Sequence, residues 1–199
     1  MSPPTGDPAP VRLRTGSARD TQALGVALAR GLRPGDVVLL AGDLGAGKTT
    51  LAQGIGAGLG VADHVTSPTF TLVRSYPCAT ATATATEPPT VTGTVDEGED
   101  SNGHGTAPTV RTFLHADLYR LEHLGEVADL AIAELVEDDA VAVVEWGDVA
   151  APVLGGDSIE VRLAEGEGED ERSVTISVTG TAGPRRDELS GLLARWATP

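Results

Sequence analysis

The hydrophobic positions of this chain fall into short runs and alternations separated by glycine, proline and acidic residues. Val11 to Thr15 reads as a short strand behind a polar, proline-rich leader from Ser2 to Pro10. Ser17 with Asp20 three residues on reads as a capping box, in which each side chain satisfies a free amide at a helix start. It opens a helix whose Leu24, Ala27, Leu28 and Leu32 share one face. Pro34-Gly35-Asp36 is a turn. Val37 to Ala41 is apolar throughout, as expected of a strand covered on both faces in a parallel sheet. A glycine-rich turn follows, then a helix from about Thr49 to Leu59.

Phe70 to Tyr76 and Thr112 to Ala116 read as two further strands, and between them the pattern collapses. Pro77 to Thr109 contains an Ala-Thr repeat, Pro88-Pro89 and five acidic residues, with no lysine or arginine and almost no large apolar side chain. Such a stretch cannot bury enough surface to offset its ordering entropy, so it is expected to be a disordered insertion between neighbouring strands. Beyond it, Leu124, Val127, Ala131 and Leu135 mark a helix, and Val141 to Glu145 a second buried strand. Ile159, Val161 and Leu163 alternate with polar residues, as do Val174, Ile176 and Val178, so an antiparallel pair is expected around the acidic loop Ala164 to Glu171. Leu189, Leu192, Leu193 and Trp196 define a closing amphipathic helix. The order predicts one α/β domain over 1–199, with a mixed, mainly parallel sheet and helices on both faces.

Composition narrows the function. The 199 residues are 40% apolar, with two each of Phe, Tyr and Trp, so the core is expected to be aliphatic. No apolar run approaches the roughly twenty residues of a membrane span, and the start lacks the basic and apolar stretches of a signal peptide. Cys78 stands alone, excluding an internal disulfide framework and a cysteine metal site. These features fit the cytoplasm, with no membrane partner. A net charge of −15, from 29 acidic and 14 basic residues, leaves no basic face to grip a phosphate backbone. Any nucleic acid would be held by another protein. Lys48 is the chain's one lysine, every other basic residue being arginine. It stands where a compact ammonium does what a planar guanidinium does not.

Gly42-Asp43-Leu44-Gly45-Ala46-Gly47-Lys48-Thr49 matches the phosphate-loop pattern G-x-x-x-x-G-K-[ST] in full, between a buried strand and a helix start. Glycines let backbone amides turn in around phosphates without Cβ clashes, and the helix directs its positive end at the same charge. Lys48 is placed to bridge β- and γ-phosphate oxygens, and the Thr49 hydroxyl to bind magnesium. A magnesium-bound triphosphate also needs a carboxylate, usually at the end of a neighbouring buried strand. Glu145, closing Val141 to Val144, is the candidate metal ligand, and Asp117, after His115-Ala116, a candidate at the nucleotide or its magnesium. Either could instead cap the next turn. Thr66-Ser67-Pro68-Thr69-Phe70 reads equally as a loop sensing the γ-phosphate or as ordinary turn chemistry. Trp146 reads as a stacking surface or a core anchor, and His115 as a packing residue rather than a general base. The Asn-Lys-x-Asp guanine element requires a second lysine, so ATP is favoured over GTP.

Together Gly42 to Thr50, Thr66 to Phe70, His-Ala-Asp-Leu-Tyr-Arg-Leu (115 to 121) and Val-Glu-Trp (144 to 146) resemble the TsaE (YjeE) family, over roughly Ser17 to Val178. That resemblance implies a small P-loop ATPase serving threonylcarbamoyladenosine modification of tRNA, the adenosine lying beside the anticodon. It implies that Gly45 to Thr50 cradle the phosphates, that Thr49 and Glu145 hold Mg2+, and that Asp117 and Thr69 sit in switch-like elements with Trp146 beside the site. Members act on a complex of TsaD and TsaB rather than on tRNA itself, so hydrolysis is expected to be slow alone and faster with those partners. The insertion at 77–109 departs from the family pattern. Two other readings of the phosphate loop stay open. One is a small-molecule kinase drawing on Arg74, Arg111 or Arg120, and the other an ATP-sensing module without turnover.

Overall fold

Val37–Ala41 is buried at every position, and it is the middle strand of the sheet in the computed structural model, which describes residues 9–68, 71–79, 109–120, 136, 139–154 and 158–198. Seven strands are present: β1 (Val11–Thr15), β2 (Val37–Ala41), β3 (Val73–Pro77), β4 (Thr112–Asp117), β5 (Ala140–Glu145), β6 (Ile159–Glu165) and β7 (Arg172–Val178). They lie in the order β1-β7-β6-β2-β5-β4-β3. The four central strands β6, β2, β5 and β4 run parallel, and β7, β1 and β3 extend the sheet by antiparallel pairing. The mixed, mainly parallel architecture expected from the pattern is therefore present. The expected hairpin registers as Ile159↔Val178, Val161↔Ile176 and Leu163↔Val174, so all six apolar residues face one side.

That side carries the larger core. Helices α1 (Ala18–Ala29) and α2 (Lys48–Gly58) cover it with Leu24, Leu28, Leu51 and Ile55, all fully buried. Burying each such side chain contributes about 1.5–3 kcal/mol. The two helices touch through glycine: a Cβ on Gly54 would lie 2.2 Å from the Gln22 carbonyl oxygen, and one on Gly25 2.5 Å from that of Leu51. Ser17 Oγ accepts from the Asp20 amide at 3.1 Å, but Asp20 returns its bond to Gly16 rather than to Ser17. The free carboxylate oxygen of Asp20 instead takes Trp196 Nε1 at 2.9 Å and Arg195 at 3.1 Å. This ties the chain's last turns to α1.

The closing helix is shorter than its pattern suggests. A 3-10 turn (Gly180–Arg185) precedes a seven-residue helix, Arg186–Leu192, and Leu192 is 37% exposed while Leu189, Leu193 and Trp196 are buried. On the opposite face of the sheet, Leu39, Leu114, Ala142 and Val144 form a second cluster, against which α3 (Gly147–Leu154) packs. The helix expected from Leu124 to Leu135 and the segment 80–108 lie outside the described residues. The ends of that segment are close: Pro77 pairs with Thr112, and Cys78 N–H donates to Arg111 O at 2.8 Å. Among the described residues no helix is long and apolar enough to cross a membrane.

Candidate functional site

Strand β2 delivers the chain into Gly42, and everything between it and α2 is a tight loop. Gly42 has φ 136° and a Cβ there would strike the Leu163 carbonyl oxygen at 2.2 Å; Gly47, the residue capping α2, has φ 102°. Both values lie in the region that only glycine enters freely. Gly45 is at φ 83°, Ala46 is buried beneath the loop, and Asp43 and Leu44 form its exposed crown, with Leu44 80% exposed. Gly47 offers no side-chain cap, so the first-turn amides of α2, at Lys48, Thr49 and Thr50, open onto the loop's concavity.

Lys48 is buried to 5% exposure, with Nζ donating to Gly42 O at 2.7 Å and Asp43 O at 2.8 Å. Its ammonium also stands 3.9 Å from the centre of the Trp146 ring, a cation–π contact. Burial pushes the Lys48 pKa below that of an ordinary lysine, against the opposing pull of Glu145, Asp117, Asp148 and Asp43. Trp146 reaches this position by adopting φ 61°, which for a bulky residue costs about 1–3 kcal/mol. It is half-buried, leans on Tyr119 with ring centres 5.1 Å apart, and packs against the second core cluster, as a core anchor does.

Parallel strands put the carboxylates where the loop needs them. Register pairs Leu40 with Glu145 and Asp117 with Glu145, so Glu145 ends the strand beside β2 and Asp117 ends the next strand out, both at carboxyl ends. Glu145 is 3% exposed and Asp117 4%. Thr49 Oγ1 donates to Glu145 Oε2 at 2.9 Å, and the other oxygen, Oε1, lies 2.9 Å from His115 Nε2. Asp117 accepts from Ser67 Oγ at 2.6 Å and from the Tyr119 amide at 3.0 Å. The hydroxyl-rich loop is thus tethered to β4 through Ser67, and Arg74 donates to Thr66 Oγ1 at 2.9 Å from β3. Thr69 and Phe70 lie outside the described residues.

Two cavities meet at the loop. One of about 210 Å³ is lined by Leu44, Gly45, Gly47, Lys48, Thr49, Thr50, Glu145 and Trp146. The other, about 200 Å³, shares Gly45, Gly47 and Thr50 and continues past them to Ala18, Thr21, Asp170 and Arg172. Arg172 is held there by its own loop's carbonyls, Glu169 at 2.9 Å and Glu171 at 2.8 Å. Asp170 and Arg172 carry no sequence signal, because an acidic hairpin loop has no phosphate-loop spacing. The tilted Tyr119–Trp146 contact and the His115–Glu145 contact carry none either.

The donor chemistry fits a polyphosphate with a hard divalent cation. Glycine-framed amides and a buried ammonium suit phosphate oxygens. Among the described residues no cluster of three or more His, Cys, Asp and Glu could hold a metal alone. One hydroxyl and one carboxylate in contact are the protein share expected when a nucleotide supplies the other ligands of Mg2+.

Comparison with known proteins identifies the family. The family model for the threonylcarbamoyl adenosine biosynthesis protein TsaE matches residues 15–85 and 102–174, skipping part of the acidic segment. The tRNA threonylcarbamoyladenosine biosynthesis protein TsaE of Streptomyces coelicolor is 38% identical over 88% of this chain and 93% of its own length. Its namesake from Bacillus subtilis is 31% identical over 85% and 87% respectively. The crystal structure of Bacillus subtilis YdiB superposes with a TM-score of 0.62 at 26% identity, covering 94% of this chain and 95% of that one. On matched residues, length and fold together, the chain belongs to the TsaE family of threonylcarbamoyl adenosine biosynthesis proteins.

Proposed function

We propose that this protein binds and hydrolyses Mg-ATP at the Gly42–Thr49 loop, and that it does so in service of tRNA threonylcarbamoyladenosine modification through a TsaD–TsaB complex. The observation that carries the reading is the convergence of buried Lys48, Thr49 and Glu145 at one loop mouth, with Thr49 and Glu145 already 2.9 Å apart. Family membership supplies the pathway.

In this reading the nucleotide lies across both cavities. The shared residues Gly45, Gly47 and Thr50 take the inner phosphates, the nucleoside extends toward Thr21, Asp170 and Arg172, and the γ-phosphate faces Glu145 and Trp146. Lys48 exchanges its bonds to Gly42 O and Asp43 O for phosphate oxygens, a local swap that leaves its Trp146 contact in place. Thr49 and Glu145 would hold Mg2+, whose charge offsets that of the phosphoryl oxygens. Water attacks the γ-phosphorus in line, the bond to the β,γ-bridging oxygen breaks, and Lys48 balances charge gathering on the leaving ADP. Asp117, bonded to Ser67, links the hydroxyl loop to this end of the site, and partner docking is assigned the task of setting that loop. Localisation to the cytoplasm belongs to the same proposal, since tRNA modification takes place there.

Binding of a fluorescent ATP analogue, measured with and without Mg2+, tests the site. Thr49→Ala and Glu145→Ala should each weaken Mg2+-dependent binding about ten- to hundredfold, as for loss of bonds to charged groups of about 1.5–3 kcal/mol. Wild-type Mg2+ dependence in Glu145→Ala would remove that residue from the metal site.

A further inference from the structure

His115 is wholly buried on β4, stacked against Phe113 with ring centres 6.0 Å apart and planes 24° apart. Its Nε2 meets Glu145 Oε1, while Nδ1, also buried, has no hydrogen-bond partner among the described residues. An orphaned polar atom in a core costs about 1–3 kcal/mol, a penalty that an aliphatic side chain in the same slot would avoid. Packing therefore does not explain the imidazole. What the ring provides is the contact at its other end.

Among the described residues Glu145 meets one side-chain partner on each carboxylate oxygen: His115 on Oε1 and Thr49 on Oε2. With Oε1 tied to β4, the carboxylate plane cannot turn, and Oε2 is left facing the Thr49 hydroxyl at the loop mouth. An Nε2–H tautomer makes this bond as donor and leaves the Nδ1 lone pair as the unpartnered atom, matching the geometry with one buried group unsatisfied. We propose that His115 is a positioning residue: through Nε2–H it locks the Glu145 carboxylate in the orientation that receives the divalent cation, and so sets the protein's affinity for Mg2+ in the presence of nucleotide. The inference rests on the reading of Thr49 and Glu145 as magnesium ligands. Partners that orient a ligating group are worth about ten- to hundredfold in metal affinity.

The test compares wild type, His115→Leu and His115→Gln by titrating Mg2+ into protein with a fluorescent ATP analogue, alongside apo-protein melting. The expected result is a Mg2+ half-saturation raised about ten- to hundredfold in His115→Leu and largely restored in His115→Gln, whose amide can donate to Oε1. A merely structural histidine would lower the melting temperature and leave the Mg2+ midpoint alone. An unchanged midpoint in His115→Leu overturns the proposal. Should that variant fail to fold, long-range 1H–15N spectra of the wild-type imidazole decide: a ring protonated on Nε2 supports it, and one protonated on Nδ1 alone overturns it. A wild type whose nucleotide binding ignores Mg2+ would instead overturn the underlying metal reading, and this proposal with it.

Discussion

Lys48 carries a cation into a site from which water is largely excluded, and its lowered pKa has two consequences of opposite sign. The unfolded chain holds that proton more tightly than the folded one, so this residue's contribution to stability rises as pH climbs from the lowered value toward 10.5, the ordinary lysine value. Nucleotide binding needs the charged form. As pH rises, affinity for ATP should therefore begin to fall at a pH below 10.5, by up to about tenfold per unit, in a Kd-versus-pH series. Lys48→Met removes the desolvated charge while keeping most of the stem. It should melt no lower than wild type yet lose roughly ten- to hundredfold in ATP affinity. The placement of Lys48 and Thr49 at the loop's end and the start of α2 was legible in the sequence, because the loop spacing alone defines it. Contacts such as His115–Glu145 were not, because β4 and β5 meet only through the parallel register, and strand pairing is not written in either strand.

At the scale of elements, the phosphate loop is held by two packed surfaces, the β2–β6 pairing behind it and the α1–α2 contact beside it. The second depends on missing side chains. Gly54→Ala would place a methyl 2.2 Å from the Gln22 carbonyl oxygen and within 2.9 Å of its Cα, backbone atoms that move only if α1 moves. It should destabilise by about 1–3 kcal/mol in urea unfolding, whereas Gly191→Ala, which meets nothing within 4 Å, should be near neutral or stabilising. Periodicity located these elements well: β1 and β2 begin and end where the pattern places them, and α2 within a residue. Phe70 to Tyr76 fared less well, since β3 spans Val73–Pro77 after a turn at Leu72 with φ 61°. A hydrophobic run shows that a residue wants cover. It does not show where the backbone turns. The glycines at 54 and 58 carry no apolar signal at all, and their role emerges only once α1 is alongside.

For the whole molecule, the sheet acts as a frame whose carboxyl ends present β2's loop, Glu145 and Asp117 to one mouth. The acidic segment at 80–108 joins the edge strand β3 to its neighbour β4, beside paired residues Pro77 and Thr112. Replacing it with a short turn should leave ATP binding within error of wild type and raise stability by no more than about 2 kcal/mol, because loop closure costs about 0.6 kcal/mol per doubling of length. A marked loss of either would mean that the segment packs on the frame. The net charge of −15 disfavours direct RNA contact and favours a role exercised through protein partners. Its decisive measurement is Mg2+-dependent ATP hydrolysis by the purified protein, alone and with purified TsaD and TsaB. The account predicts slow turnover alone, several-fold faster with both partners and abolished by Lys48→Met. Turnover indifferent to the partners, or absent even with them, would contradict it.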